Sequence, residues 1–211
     1  MRLILVRHGE TDSNKARLAL GRADVELNEH GRWQAQRLAI SLKDEPIDTI
    51  YSSPLKRTLA TAEPIASSHG LAVHVDEGLI EMDIGEMEGL TFQQVRERYP
   101  HFLQVWLGGQ AAYEAMPGGE RLLDVQERVW QAIERIHQRH EQGAVAVVTH
   151  NFVILTLLCR VLGLELADFR RLRHSVAAKS VLEMGQDRTI VVSFNETCHL
   201  EAGQGRQTAA G

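Results

Sequence analysis

Four side chains suited to phosphate chemistry follow short strand-like runs in this sequence. Arg7 and His8 come directly after the apolar run LILV and precede Gly9, and His150 ends the run AVAVVT. Arg57 follows a further run, IDTIY. A guanidinium group offers a planar fork of donors for phosphate oxygens, an imidazole can act as a nucleophile, and glycine permits close approach to the backbone. Together these residues predict a pocket for a dianionic phosphoryl group.

Strands and helices alternate along the chain, and this alternation predicts where those side chains lie. The runs at 3–7, 47–51, 71–75 and 144–149 are interpreted as strands separated by helices. The pattern is typical of a mostly parallel sheet covered on both faces, an α/β protein of the three-layer α/β/α sandwich type. Because ligands of such folds bind beyond the carboxyl ends of the strands, Arg7, His8 and His150 are predicted at one rim.

Capping residues set the predicted helix boundaries. Asn28 is predicted to cap a helix with one apolar face. Ser53 is predicted to cap a second helix, with Pro54 as its first residue and Gly70 just after its end. Asn151 is a candidate cap for the helix that follows His150.

Residues 82–120 depart from the alternation. Thr91 and Gln94 form a capping-box pattern, Pro100 ends that helix, and no strand pattern is convincing. We therefore predict a small helical lid inserted into a single domain of residues 1–200. After the lid come a long helix from Leu122, the strand and helix around His150, and a terminal hairpin, SVLEM and TIVVSF. Residues 201–211 are predicted to be a flexible tail.

Composition narrows the class of partner. The chain has 211 residues, 44% of them apolar, and a formal net charge of −5 without a basic block, which argues against a nucleic-acid partner. The most apolar stretch, 144–164, contains His150, Asn151 and Arg160, which are costly in lipid. Cys159 and Cys198 lack CxxC spacing, and no signal-peptide pattern is present. We expect a cytoplasmic protein without a membrane partner, and, since GxGxxG and P-loop motifs are missing, without a cofactor.

Longer motifs around the same residues resemble one known family. LVRHGET, IYSSPLKRTLATA and VVTHN are together similar to the histidine phosphatase superfamily, in its phosphoglycerate mutase-like branch, over about residues 2–199. The resemblance implies that His8 is the nucleophile and forms a phosphohistidine. It also implies that Arg7, Arg57 and His150 hold the phosphoryl oxygens, without a metal ion.

Further site residues follow from this resemblance. Asn14 matches a phosphate contact of the family, and Gly21 and Asn151 are added as phosphate-binding candidates. Glu81, in LIEMDIGEMEG, matches the general acid and base, a role that phosphate charge favours by raising the pKa of a nearby carboxyl group. Two competing carboxylates stand in the same stretch, Glu86 and Glu88.

The family core serves both phosphatases and mutases. A mutase holds an intermediate with two phosphates, which calls for basic residues in the insertion, yet no Lys or Arg lies between Arg98 and Arg121. The prediction is therefore metal-independent hydrolysis of small phosphomonoesters, with a cofactor-dependent phosphoglycerate mutase as the alternative. A zinc hydrolase using His8 and His150 is less favoured because HExxH is missing. A non-catalytic phosphate-binding protein is less favoured because the reactive residues are present.

The sequence leaves the ester open among phosphoserine, phosphoglycerate, α-ribazole phosphate and a broad range. The end SFNETCHL resembles that of metal-independent phosphoserine phosphatases, so His199 could reach a substrate carboxylate or simply close the sheet edge. Ile84 stands where a histidine is expected in those enzymes. The hairpin 180–194 is a candidate edge for a homodimer. Apolar lid residues either shelter the substrate or pack the lid: Phe92, Phe102, Trp106, Tyr113 and Met116.

Overall fold

A six-stranded sheet is the centre of the computed structural model, which describes residues 1–201. The strands are β1 Arg2–Arg7, β2 Thr49–Ser52, β3 Val73–Val75, β4 Ala144–Thr149, β5 Lys179–Met184 and β6 Thr189–Glu196. Their order is β3-β2-β4-β1-β5-β6, in which the first four are parallel and β5 and β6 are antiparallel. The predicted class and terminal hairpin are confirmed. Apart from Glu201, the predicted tail lies outside the described residues.

Helices follow the strands in the predicted alternation. They are α1 Asp12–Lys15, α2 Glu29–Leu42, α3 Lys56–His69, α4 Phe92–Arg98, α5 Pro100–Leu107, α6 Leu122–Arg139 and α7 Asn151–Leu162. Short 3-10 turns lie at Glu77–Leu79, Gly85–Met87, Leu166–Arg171 and Cys198–Leu200.

Strand β1 separates two hydrophobic cores. Leu3 and Leu5 point into the larger core with α6 and α7, whereas Ile4 and Val6 point into a second core with α2 and α3. Successive side chains of a strand face opposite sides of the sheet, so a run that is apolar at every position fits a strand buried on both faces. The result is the expected three-layer sandwich.

Two predicted capping sites are confirmed. The side chain of Asn28 accepts a hydrogen bond from the backbone N–H of Gly31 at the start of α2. Thr91 and Gln94 form the predicted capping box at the start of α4. Gly70 follows α3 in the left-handed conformation, with φ of 66°, which glycine adopts without strain.

Two other predicted helix starts are wrong because the residues involved have tertiary partners. Helix α3 begins at Lys56, two residues after Pro54, since the hydroxyl of Ser53 lies 2.7 Å from His150 Nε2 rather than capping the helix. Asn151 is the first residue of α7 and does not cap it. Its side chain instead accepts a hydrogen bond from Arg7.

Residues 82–120 contribute α4, α5 and a 3-10 turn, but no strand of the sheet. Trp106 of α5 is buried and packs edge-on against Phe152 of α7, with ring centroids 6.5 Å apart. Of the five apolar residues considered for the lid, Phe102, Trp106 and Met116 are buried, whereas Phe92 and Tyr113 are exposed. Aromatic packing therefore joins the insertion to the α7 side of the sheet.

Candidate active site

Two adjacent parallel strands bring the predicted histidines together. Arg7 pairs in register with Thr149 at the ends of β1 and β4, so the residues that follow them, His8 and His150, leave the sheet side by side. The backbone N–H of His8 donates to the Thr149 carbonyl at 3.0 Å, and the two imidazole centroids are 5.2 Å apart. The predicted common rim is confirmed.

His8 has the tautomer that a nucleophile needs. Its Nδ1 lies 2.7 Å from the carbonyl oxygen of Gly9, and because a carbonyl only accepts, Nδ1 carries the proton. Nε2 then has a free lone pair. Burial lowers the pKa of His8 well below its ordinary value, and the positive charges of Arg7 and Arg57 lower it further, so the imidazole is neutral at pH 7.

His150 lies beside His8 and is also neutral. Burial is the main cause that lowers the pKa of His150, and the charge of Arg57 adds to it. Its Nε2 is hydrogen-bonded to Ser53 Oγ, whereas Nδ1 is buried and has no partner within residues 1–201. A buried polar atom without a partner costs about 1–3 kcal/mol, which a ligand oxygen would offset.

Protein oxygens hold both Arg7 and Arg57 in place near the two imidazoles. Arg7 Nη1 donates to Asn151 Oδ1 at 3.0 Å and to the carbonyl of His174. Arg57 donates to the carbonyls of the loop between β1 and α2, at 2.6 Å to Gly21. Each guanidinium also has a buried Nε without a partner in the described part of the chain. Burial lowers the pKa of Arg7 to about 10, so it stays charged at pH 7.

Glu81 has the burial and the raised pKa that suit a general acid. It is buried, and burial raises its pKa, although the N–H of Met82 and the charges of Arg57 and Arg7 oppose that rise. Oε1 accepts from Met82 N–H at 2.9 Å, and Oε2 lies 3.4 Å from Phe152 N. A carboxyl group with a raised pKa can hold a proton close to neutral pH and release it during a reaction.

The two competing carboxylates have other partners. Glu88 accepts from the N–H groups of Gly21 and Ala23, at 2.9 and 3.2 Å, and so shapes the loop that holds Arg57. Glu86 accepts from the Tyr99 hydroxyl at an exposed position. Neither is buried as Glu81 is.

A set of ion pairs that the sequence did not reveal holds the backbone of the Glu81 segment in place. Arg128 of α6 donates to the carbonyls of Gly78, Ile80 and Glu81, and forms two hydrogen bonds with Glu120 at 3.0 and 3.1 Å. Arg22 also donates to the Glu81 carbonyl and pairs with Glu120. We call Arg22, Glu120 and Arg128 the Glu81 support. In the sequence, Arg128 is one polar residue of an amphipathic helix, and no signal distinguishes it.

The remaining predicted contacts occupy different positions around the pocket. Asn14 Oδ1 accepts from Thr11 in a capping box, so only the Nδ2 donor of that amide can serve a ligand. Gly21 contributes its carbonyl to Arg57, and its N–H is taken by Glu88. Asn151 orients Arg7. Their direct contact with phosphate stays a prediction.

Two further histidines lie outside the core of the pocket. His174, which the sequence analysis missed, is buried beside Arg7, and burial lowers its pKa to about 4. His199 lies 2.9 Å from the Ala177 carbonyl through Nε2, and its own carbonyl accepts from Arg37. His199 thus closes the packing of α2 against the sheet.

Such a site suits a reaction on a phosphate ester, and its position at the ends of parallel strands is that of an α/β enzyme. Residues 3–197 match the model of the histidine phosphatase superfamily (branch 1), and the chain belongs to this family. It is a phosphoric monoester hydrolase of the phosphoglycerate mutase-like type.

Relatives of known name agree with the phosphatase type. The chain is 38% identical to phosphoserine phosphatase 1 of Hydrogenobacter thermophilus, over 95% of this chain and 94% of that protein. It is 31% identical to a metal-independent phosphoserine phosphatase of Arabidopsis thaliana, over 95% and 83% of the two chains. A phosphoserine phosphatase mutant of Entamoeba histolytica, solved in complex with phosphoserine, superimposes with a TM-score of 0.84 at 28% identity, covering 94% of this chain and 98% of that one.

Two further structural findings concern the alternatives. Between residues 1 and 201, no helix is both long and apolar enough to cross a membrane. Over the same residues, no three His, Cys, Asp or Glu side chains are grouped as ligands for one metal ion. The zinc-hydrolase alternative therefore has no candidate ligand set there.

Proposed function

We propose that this protein hydrolyses small phosphomonoesters through a phosphohistidine on His8, with Glu81 as general acid and then general base. The observation that carries the proposal is the Nδ1 contact of His8 with the Gly9 carbonyl, which leaves Nε2 as a neutral nucleophile between Arg7 and Arg57. No metal ion is needed, because the cations of the site are guanidinium groups.

In the first step, His8 Nε2 attacks phosphorus in line with the ester oxygen. The N–P bond forms as the P–O ester bond breaks, and the electron pair of that bond passes to the leaving oxygen. Glu81 gives its proton to this oxygen, and the alcohol departs. Splitting the reaction in this way replaces one difficult step by two easier ones.

In the second step, water attacks the phosphohistidine. Glu81, now a carboxylate, takes one proton from the water as the new P–O bond forms and the N–P bond breaks. Inorganic phosphate leaves, while His8 regains its lone pair and Glu81 its proton. The same carboxyl group therefore serves both steps, which requires a pKa near the working pH.

The two guanidinium groups stabilise the charge that develops on the transferred group. Arg57 is buried and Arg7 is half-buried, and fixed donors in such a site act more strongly than in water. For His150, a hydroxyl proton donated from Ser53 to Nε2 leaves Nδ1–H free to donate to a phosphoryl oxygen. We assign the same function to the Nε–H groups of Arg7 and Arg57, which have no partner among residues 1–201.

The mutase alternative is less favoured. The insertion contributes no Lys or Arg between Arg98 and Arg121 to hold a second phosphate while the first is on His8. For the substrate, phosphoserine is the first ester to test, because two relatives are named as phosphoserine phosphatases. Ile84, in place of the expected histidine, is buried against the Gly21 loop, so carboxylate recognition needs other residues.

The test is a panel of phosphomonoesters with the purified protein: phosphoserine, 3-phosphoglycerate, α-ribazole phosphate and p-nitrophenyl phosphate. We expect release of inorganic phosphate that a chelator does not inhibit, and an acid-labile, base-stable label on His8 when labelled substrate is quenched in base. Isomerisation of 3-phosphoglycerate primed by 2,3-bisphosphoglycerate, faster than phosphate release, would instead support the mutase. Phosphate binding without turnover of any ester would support the non-catalytic alternative.

A further inference from the structure

A cleft of about 590 Å³ opens beside the phosphoryl pocket on the side of the turn Leu166–Arg171. Arg7, Asn14 and Asn151 form its inner wall, so it is continuous with the proposed phosphate site. Its outer wall contains Arg170 and Arg173. Neither arginine belongs to the motifs that carried the family resemblance.

The charge of this cleft is opposite to that of the whole protein. Three arginines line it, against one carboxylate, Glu10, which already accepts from the side chain of Asn28 at 2.9 Å. The protein itself has a formal net charge of −5. A second large cleft, which includes Asp12, Glu26 and Glu29, has more acidic than basic residues. The cationic character therefore belongs to this cleft specifically.

Arg170 is held in place before any ligand arrives. Its Nη2 donates to the carbonyl of Trp106 in the insertion. Its guanidinium carbon also lies 4.7 Å from the ring centroid of Phe169 and 5.5 Å from that of Trp106. An arginine fixed by aromatic rings loses less conformational entropy on binding an anion, so it binds more tightly than a free side chain.

Arg173 is exposed, and within the described residues it forms no ion pair. Its neighbour Arg171 is also exposed but differs in its ion pairing and in its position relative to the cleft. Arg171 pairs with Asp168 at 3.4 Å and does not line the cleft. Of the arginines in the stretch FRRLRH, two therefore face the cleft wall and one is paired on the surface.

We propose that Arg170 and Arg173 form a subsite for a second anionic group of the substrate, a carboxylate or a phosphate next to the phosphoryl group bound by Arg7. The inference rests on the proposed function and names its substrate class: phosphomonoesters of small acids or bisphosphates, in preference to neutral alcohols. A guanidinium fork matches the geometry of both anions.

The test compares esters that differ only in the second anion. 3-Phosphoglycerate and glycerol 3-phosphate differ by a carboxylate, and fructose 1,6-bisphosphate and fructose 6-phosphate differ by a phosphate. Arg173→Gln is the main variant because Arg173 is exposed and the change should not disturb the fold, and Arg171→Gln is the matched control. In each pair, the preference is the ratio of kcat/KM for the ester with the second anion to kcat/KM for the ester without it. We expect Arg173→Gln to reduce this ratio by about 10-fold in at least one pair, which corresponds to the loss of one charge-assisted hydrogen bond.

The two pairs distinguish the source of the anion. A reduced preference in the first pair alone indicates that the subsite binds a carboxylate, and a reduced preference in the second pair alone indicates that it binds a phosphate. An equal loss for both members of each pair, or the same change in Arg171→Gln, would overturn the subsite. Calorimetric affinities for the same esters in a His8→Ala background separate this inference from the proposed function. Absence of any turnover by the wild-type protein would refute the phosphatase mechanism, whereas a binding preference that does not depend on Arg173 would refute the subsite.

Discussion

The phosphoryl pocket and the cationic cleft beside it are built in opposite ways. In the pocket, His8, Arg57, Glu81 and His150 are all buried, and each is tied to the backbone or to a buried hydroxyl. In the cleft, Arg173 is exposed on a segment after the last helix. The pocket positions groups for one reaction, whereas the cleft presents charges that can change without disturbing the sheet.

This contrast separates chemistry from selectivity. Side chains at the ends of central strands are fixed by the packing of two cores, so they suit steps that tolerate little displacement. Side chains that determine specificity can be changed on surface segments with little effect on the fold, because a surface substitution rarely lowers stability by more than about 0.5 kcal/mol. Variants in the pocket should therefore slow esters with similar leaving groups alike, whether or not they carry a second anion. Variants in the cleft should change only which of those esters is preferred.

The largest effect is expected at His8. His8→Ala removes the nucleophile, and we expect turnover of every phosphomonoester to fall by at least about 10⁴-fold, since loss of a nucleophile leaves only binding and charge stabilisation. Phosphate release and phosphohistidine labelling check this result. Retained turnover in His8→Ala would show that another group attacks phosphorus.

Glu81→Gln keeps the shape of the side chain but removes its proton transfer. We expect kcat for alkyl esters to fall by about 10²- to 10⁴-fold, the usual contribution of general acid–base catalysis. Because the raised pKa belongs to the proton donor, kcat/KM of the wild type should fall as pH rises through that pKa, and the variant should lose this limb. With p-nitrophenyl phosphate, the variant should show a burst of nitrophenolate, since that leaving group needs little protonation and the phosphohistidine then lacks its general base. Absence of a burst would place Glu81 in phosphate binding instead.

The Glu81 support offers a sharper test of positioning. Arg128→Met removes the five hydrogen bonds that Arg128 donates to the carbonyls and to the Glu120 carboxylate that fix the Glu81 segment. We expect a loss in kcat on the order of 10-fold, since a displacement of about 1 Å can cost about 10²-fold. The loss should be larger for alkyl esters than for the nitrophenolate burst, as for Glu81→Gln.

Arg135→Met is the matched control, because Arg135 lies on the same helix and pairs with Asp76 at the surface. If Arg128→Met raised KM for all esters and left kcat unchanged, the positioning role would be contradicted.

The smallest effect concerns stability at low pH. His174 has its pKa lowered to about 4 in the folded state, against 6.5 for an ordinary histidine. Above pH 6.5 both states are neutral, and as pH falls toward 4 only the unfolded state gains the proton, so folding stability decreases by up to about 1.4 kcal/mol per pH unit for this group. His174→Gln should flatten this part of the pH dependence, as measured by urea unfolding. An equal flattening in His101→Gln, at an exposed site, would contradict the assignment.

Sequence patterns predicted the strand ends well but not the network behind them. Arg7, His8 and His150 were placed correctly because an apolar run ends sharply at each, and parallel strands share a rim. The predicted start of α3 was wrong because the Ser53 hydroxyl forms a hydrogen bond with the buried imidazole of His150 instead of capping the helix. Local sequence propensity does not include a partner that is distant in the chain. The Glu81 support was missed because arginines on an amphipathic helix look alike before the fold selects one.

The sequence by itself determined the family, the α/β class and the four residues at the strand ends, since periodicity and short motifs act over a few residues of chain. Tertiary structure alone decided which of three glutamates is buried, which nitrogen of His8 holds the lone pair, and which arginines after α7 face the cleft. These outcomes depend on groups that lie far apart in the chain and meet only when the two cores pack, and burial at that moment sets their protonation and their partners.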